Sequence, residues 1–214
     1  MLLIYGSIIQ REYRLNFYFC TMKKHRLAIF ASGNGSIAVR LIDYFANHKS
    51  IDTPVVLTNN RNAGVVGRLE NTPVKILIID NEQAADGEYL VNLMKENQID
   101  FIVLGGYLRK IPTALISIYQ DKIINIHPAL LPKYGGKGMY GIYVHHAVKE
   151  ANDRETGITI HLVNQNYDEG RVLAQHETTV SQKDSAIEIQ RKVQELEHKW
   201  FPKEIEEYIA NINN

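Results

Sequence analysis

The sequence predicts an α/β fold: a mostly parallel central sheet with helices on both faces and an antiparallel addition at the C-terminal end. Three observations predict it. From Leu27 to about residue 127, short apolar runs alternate with helix-length amphipathic stretches, the signature of right-handed βαβ units. After residue 155 two strand-like runs flank a polar turn, which reads as an antiparallel pair. No internal repeat, low-complexity segment or Pro/Gly/Ser linker interrupts the chain, so one domain is expected over 22–214.

Taken in order, the strand candidates are LAIFAS (27–32), DTPVVLTN (52–59), VKILII (74–79), DFIVLGG (100–106) and KIINIH (122–127). Helices are expected between them at about 36–48, 62–70, 83–97 and 112–119. TGITIHLVN (156–164) and GRVLAQHETTV (170–180) are the two late strands, joined by the polar QNYDE (165–169). A long helix, about 184–211, closes the chain, with Leu196, Trp200 and Ile205 turned inward and a break or kink near Pro202. The first 21 residues carry apolar pieces interrupted by Arg11, Glu12 and Arg14, without a preceding basic region. That is a poor signal peptide, and residues 1–21 read as an extension outside the fold.

Composition narrows the function. Of 214 residues, 45% are hydrophobic and 22% charged, with 24 basic against 24 acidic side chains. Zero formal charge gives no electrostatic footprint for nucleic acid or a membrane surface. No apolar run approaches the roughly 18–20 residues that span a bilayer. Cys20 is the only cysteine, so the chain has no intramolecular disulfide, which fits a reducing compartment and a cytoplasmic location.

Three motifs carry chemistry. ASGNGS (31–36) follows a strand and opens a helix. Its glycines let the backbone approach a ligand, and the helix start offers free N–H groups to a phosphate. It is neither a dinucleotide fingerprint nor a Walker A sequence, and a tight turn with Ser36 as helix cap is the competing reading. Asn125-Ile126-His127 ends a strand just before Pro128. Residues i and i+2 share a face, so an amide and an imidazole stand side by side at the carboxyl end of a sheet strand, where α/β ligands gather. The amide suits a developing oxyanion and the imidazole a moving proton, the needs of acyl transfer. Asp168, in the turn before Gly170, is either an ordinary turn residue or the partner of His127; as a partner it would raise the histidine's pKa and fix the ring. His145-His146 has no cysteine or carboxylate cluster to complete a metal site, and no metal is expected. The glycine-rich loop 132–141 follows the Asn-x-His motif directly, a placement that often carries function.

SGNGS, NIHPALLPKY, the YDEG turn and the late EHKWFP, in that order, resemble the phosphoribosylglycinamide formyltransferase family of folate-dependent formyltransferases. The resemblance runs from about residue 25 to 210. It implies a Rossmann-like formyltransferase fold and transfer of a formyl group from 10-formyltetrahydrofolate, as co-substrate, to the amine of glycinamide ribonucleotide in purine synthesis. It makes Asn125, His127 and Asp168 the catalytic residues. It assigns Gly33, Asn34, Gly35, Ser36 and Ile37 to the substrate phosphate, and Glu197 with Gln194 to the glycyl amine. Leu108, Arg109, Lys110 and Ile111 become a folate-lining segment. Asn164, Gln165, Asn166, Tyr167 and Asp168 line the pterin pocket, with Asn125 in contact, and Arg68 stands near the glutamate tail. Two positions depart from the family pattern: Ile37 replaces the usual asparagine, and Lys110 a usually apolar residue. The expected partners are these two small molecules, with no nucleic acid and no membrane, and a monomer or homodimer is expected.

Other readings stay open at this stage. A formyltetrahydrofolate hydrolase uses the same trio with water as acceptor but adds an N-terminal regulatory domain. Methionyl-tRNA formyltransferase adds a C-terminal domain and a basic surface. A non-catalytic folate- or nucleotide-binding module is compatible with the fold alone, yet has no need of all three catalytic side chains.

Overall fold

A computed structural model describes residues 24–212; the expected extension at 1–21 lies outside them. Five strands form the parallel part of the sheet: β1 (His25–Phe30), β2 (Ile51–Thr58), β3 (Lys75–Ile78), β4 (Phe101–Leu104) and β5 (Ile123–His127). β6 (Glu155–Leu162) and β7 (Val172–Thr179) add antiparallel to them, giving the order β3-β2-β1-β4-β5-β6-β7. The chain runs outward from β1 to β3, then returns to β4. A crevice therefore opens at the carboxyl ends of β1 and β4, the topological switch point.

Both faces of the sheet are covered, and β1 shows how. Leu27 and Ile29 join one core and Ala28 and Phe30 the other, all completely buried, as a two-residue period requires. The first core is closed by α1 (Ser36–Phe45) and α7 (Ala186–Ile212), and the second by α4 (Gly87–Glu96) and α5 (Thr113–Ile118). Each large side chain buried this way contributes about 1.5–3 kcal/mol. Pro54 is tolerated inside β2 because the β1–β2 register slips there, between Asp52 and Val55.

Four expectations change. The helix expected at 83–97 is two, α3 (Asn81–Ala85) and α4, because Asp86 ends one and caps the other: its N–H donates to Gln83 O and its carboxylate accepts from Tyr89 N. Asp80 and Gln83 form a capping box at the start of α3. A helix absent from the pattern reading, α6 (Ile142–Glu150), follows the glycine-rich loop. The helices expected at 62–70 and 112–119 shorten to α2 (Gly64–Leu69) and α5.

The last correction concerns Pro202. α7 runs 27 residues straight through it. A proline has no N–H, so the carbonyl four residues earlier, on His198, loses its helical donor. Arg40 of α1 replaces it, its Nε donating to His198 O at 2.9 Å. A helix–helix hydrogen bond thus satisfies the carbonyl that the proline orphans. Ile205 is buried, while Leu196 and Trp200 pack against the core edge, Trp200 stacking on His176 of β7 at 4.1 Å.

Replacing Arg40 by Met is expected to cost about 0.5–1.5 kcal/mol in urea unfolding. The same change in a Pro202→Ala background, where the helical N–H is restored, should cost measurably less.

Candidate active site

β5 lies between β4 and β6 and ends by presenting Asn125 and His127 on one face, with Ile126 buried in the first core. Its antiparallel register with β6 sets Asn125 opposite His161 and His127 opposite Thr159. Both pairings matter. The Thr159 hydroxyl donates to Ala129 O at 2.7 Å and accepts from Leu131 N at 2.9 Å, pinning the chain that leaves His127. His161, 2% exposed, donates Nδ1–H to Leu162 O at 2.9 Å. Its Nε2 is then an acceptor and takes one N–H of the Asn125 amide at 3.0 Å. That bond fixes which way the amide faces and leaves its second N–H unspent.

His127, 4% exposed, is held from both sides. Nε2–H donates to the Tyr134 carbonyl at 2.7 Å, and Nδ1 stands 3.6 Å from Asp168 Oδ2. Nδ1 is therefore the nitrogen able to exchange a proton. Asp168 is reached from three directions: Gly136 N–H donates to Oδ2 at 2.8 Å, and His161 Nε2 lies 3.6 Å from Oδ1. Tyr134 and Asp168 both adopt left-handed backbone, each at φ 57°. Such geometry costs on the order of 1 kcal/mol in a non-glycine residue and gathers at functional sites.

Electrostatics divides the pair. Burial pushes His127 below its ordinary range, against the opposing pull of Asp168 and the Tyr134 carbonyl. Asp168 does pull this histidine upward as expected, but the ring gives up more hydration than the carboxylate returns, so the net shift is downward. Burial alone would raise Asp168, but the His161 ring, the Gly136 N–H and the neighbouring His127 ring hold it below the usual carboxylate range. An ionised carboxylate thus faces a neutral imidazole. His145 of α6, 2% exposed, has no partner for Nδ1, and burial with His127 and His146 nearby pushes it down to about 4. Among the described residues no group of three or more His, Cys, Asp or Glu is placed to hold a metal ion.

Asn125, His127, His145, His161 and Asp168 line a cavity of about 780 Å³, the size of a small-molecule site. One end is formed by the Gly33–Ile37 turn, Gln194 and Glu197. Gly35, at φ 74°, is the N-cap of α1 and no side chain caps this helix, so Ser36 is its first residue and not its cap. A side chain at Gly35 would strike Val65, only 2.4 Å from the Cβ position. The Ile37 side chain is buried beside Gly105. Glu197 has no basic side chain within ion-pair distance among the described residues, and burial pushes it up to about 7. The other end is walled by Leu108–Ile111 on one side and Asn164–Asp168 on the other. A hydrogen bond from Leu108 N to Ser32 Oγ ties the first wall to the glycine turn. Arg68, exposed on α2, does not line the cavity. His161, Thr159 and the Tyr134 carbonyl were not singled out by sequence, and His145 was weighed there only as a metal ligand; only the β5–β6 register reveals the first two.

Residues 25–205, which include every strand of the sheet, match the formyl transferase family, and the chain is a member of that class. A chloroplast phosphoribosylglycinamide formyltransferase of Arabidopsis thaliana is 40% identical over 84% of this chain and 63% of its own length. The enzyme of that name from Bacillus subtilis is 30% identical over 90% of this chain and 97% of its own. The crystal structure of the Bacillus halodurans phosphoribosylglycinamide formyltransferase superposes with a TM-score of 0.78 at 31% identity, covering 86% of this chain and 95% of that one. Within its class the chain belongs to the phosphoribosylglycinamide formyltransferase family. It spans 63% and 61% of the length of two plant relatives.

The depressed histidines set a pH dependence. A buried histidine with a lowered folded pKa is neutral when folded, so its stability contribution is complete above the unfolded value of about 6.5 and is lost as pH falls toward the folded value. Unfolding free energy should therefore drop between pH 6.5 and about 4. His145→Leu should flatten this slope by up to about 3 kcal/mol in acid, leaving the smaller contribution of His127.

Proposed function

We propose that the chain transfers the formyl group of 10-formyltetrahydrofolate to the amine of glycinamide ribonucleotide, giving formylglycinamide ribonucleotide and tetrahydrofolate in purine synthesis. One observation carries this reading. Asn125, His127 and Asp168 line a single cavity together with two groups of residues that suit different ligands. The uncapped start of α1 offers backbone N–H groups to a phosphate. Glu197, unpaired and half-buried, suits an ammonium or amine, whose approach would restore its ionised form. The opposite walls fit a flat heterocycle: Leu108 is an exposed apolar side chain, and Ile111 and Val163 add apolar surface.

The co-substrate supplies a one-carbon acyl group bound to nitrogen. The protein's part is positional and electrostatic. Gly33–Ile37 and Glu197, with Gln194 beside it, hold the ribonucleotide so that its amine faces the formyl carbon. The free N–H of Asn125, its partner bond to His161 already made, donates to the carbonyl oxygen as it becomes anionic. The amine must lose one proton, and the departing folate nitrogen must gain one. His127 Nδ1, backed by the ionised Asp168, holds that proton in transit; once protonated, the ring also stabilises the oxyanion. Leu108, Arg109, Lys110, Ile111 and 164–168 form the folate walls. Arg68, outside the cavity, is reached only by a tail that leaves it.

A hydrolase would need neither the open helix start nor an unpaired carboxylate, so the transferase is favoured over it. All the groups come from one chain within 22–214, which suits a monomer or homodimer without obligate site sharing. No described helix is long and apolar enough to cross a membrane, and with one cysteine we assign the reaction to the cytoplasm.

Purified protein should convert 10-formyltetrahydrofolate only when glycinamide ribonucleotide is present, followed by absorbance of the deformylated folate. Turnover without the ribonucleotide would establish the hydrolase instead. Asn125→Ala is expected to lower kcat about 10²–10³-fold and His127→Ala about 10²–10⁴-fold. Glu197 supplies a separate signature. Ribonucleotide affinity should weaken as pH falls below about 7, where this carboxyl is protonated, and calorimetry on Glu197→Gln should find that leg of the profile gone.

A further inference from the structure

The stretch Tyr134-Gly135-Gly136 touches both members of the His127–Asp168 pair. The Tyr134 carbonyl accepts from His127 Nε2–H at 2.7 Å, and the Gly136 N–H donates to Asp168 Oδ2 at 2.8 Å. Gly135 between them has no room for a side chain. A Cβ there would stand 2.6 Å from Leu131 Cδ2 and 3.4 Å from Asp168 Cβ. One tripeptide thus clamps a ring and a carboxylate. What holds the clamp lies outside the cavity, which neither Tyr134 nor Asp153 lines. The Tyr134 hydroxyl donates to Asp153 Oδ2 at 2.9 Å, and its ring packs on Val148, Val180 and Ile189. Asp153 comes 19 positions later, beyond α6, and Lys133 Nζ reaches the same oxygen at 3.1 Å. The Tyr134 hydroxyl and Lys133 hold the Asp153 carboxyl below the usual carboxylate range. The phenol therefore donates to an anion at neutral pH, a charge-assisted bond stronger than a neutral one.

The clamp matters because two neighbours compete for the one proton of a neutral His127. The Asp168 anion favours that proton on Nδ1, whereas the Tyr134 carbonyl favours it on Nε2. Asp168 stands 3.6 Å from Nδ1, beyond hydrogen-bond length, while the carbonyl is 2.7 Å from Nε2. The carbonyl wins, and Nδ1 keeps its lone pair. Only this tautomer can take up a proton at the nitrogen that faces Asp168. A carbonyl that drifted away would hand the proton to Nδ1 and close that position. We infer that Asp153 is a positioning residue: through the Tyr134 phenol it holds the Tyr134 carbonyl on Nε2 and keeps His127 in the tautomer whose Nδ1 can accept a proton. The consequence for turnover rests on the formyl-transfer reading above; the tautomer itself does not.

The test is ring-nitrogen NMR of histidine-labelled, ligand-free protein at mildly alkaline pH, with the His127 signals assigned by their loss in His127→Gln. Formyl-transfer kinetics run alongside. Wild type should show the Nε2–H tautomer at His127. Tyr134→Phe, which keeps the ring's packing, and Asp153→Ala should each move His127 toward the Nδ1–H tautomer. Both should lower kcat about three- to tenfold, the loss of one hydrogen bond, with KM near the wild-type value. The double variant should fall no further than either single one, because the two side chains act through one bond. Asp153→Asn, whose amide oxygen still accepts from the phenol, should restore both readouts. Lys133→Ala should change neither, since its side chain is 66% exposed and such a surface pair contributes little. An Nδ1–H tautomer in wild type would overturn the inference. So would variants that lose thermal stability while tautomer and kcat stay unchanged. The tautomer is read without substrate, so its shift in a protein with no formyl transfer would uphold the clamp and overturn only the transferase reading.

Discussion

The pairing of β5 with β6 is the constraint on which the site depends. Its antiparallel register decides that Asn125 meets His161 and His127 meets Thr159. A slip of one residue would turn Asn125 and His127 away from these partners. It would free the amide to rotate and release the chain after His127 from the Thr159 hydroxyl. The antiparallel addition is therefore more than an edge extension of a parallel sheet. It supplies the acceptor that orients the amide, and the turn beyond it carries the carboxylate facing His127. Parallel strands bring the glycine turn and the Leu108–Ile111 wall to the switch point; the antiparallel pair adds Asn125's partner His161 and the turn that carries Asp168.

Desolvation then sets the charge state. His127 and His145 are nearly inaccessible and are driven toward neutrality, while Asp168 stays ionised because N–H groups and rings surround it. Glu197 goes the other way, since nothing nearby compensates its burial. Two carboxylates in one cavity thus hold opposite tendencies, one stabilised as an anion by the protein and one awaiting a cation. The left-handed backbone at Tyr134 and Asp168 is part of the same arrangement, because it brings a carbonyl and a carboxylate to the two sides of one ring.

Most of the fold was legible from pattern. Apolar runs separated by amphipathic stretches located all seven strands to within a few residues, because each strand must bury side chains and each crossover needs a helix. Failures fell where local signals compete. Asp86-Gly87 divides a helix that continuous amphipathicity suggested, and α6 hides behind glycines. Pro202 looks like a helix break in sequence but is bridged by Arg40, a residue of another helix 158 positions away along the chain from the carbonyl it satisfies.

The site divides along the same line. The residues Asn125 and His127 could be named from sequence because a two-residue strand period puts them on one face whatever surrounds them. The glycine turn could be named because helix starts carry unsatisfied N–H groups. Those are properties of local backbone geometry, which sequence determines by itself. The roles of His161, Thr159 and the Tyr134 carbonyl, and the neutrality of His127, were settled only by the tertiary structure. Each depends on a distance between segments far apart in the chain, or on how much water a side chain loses, and neither quantity is encoded in any short stretch of residues.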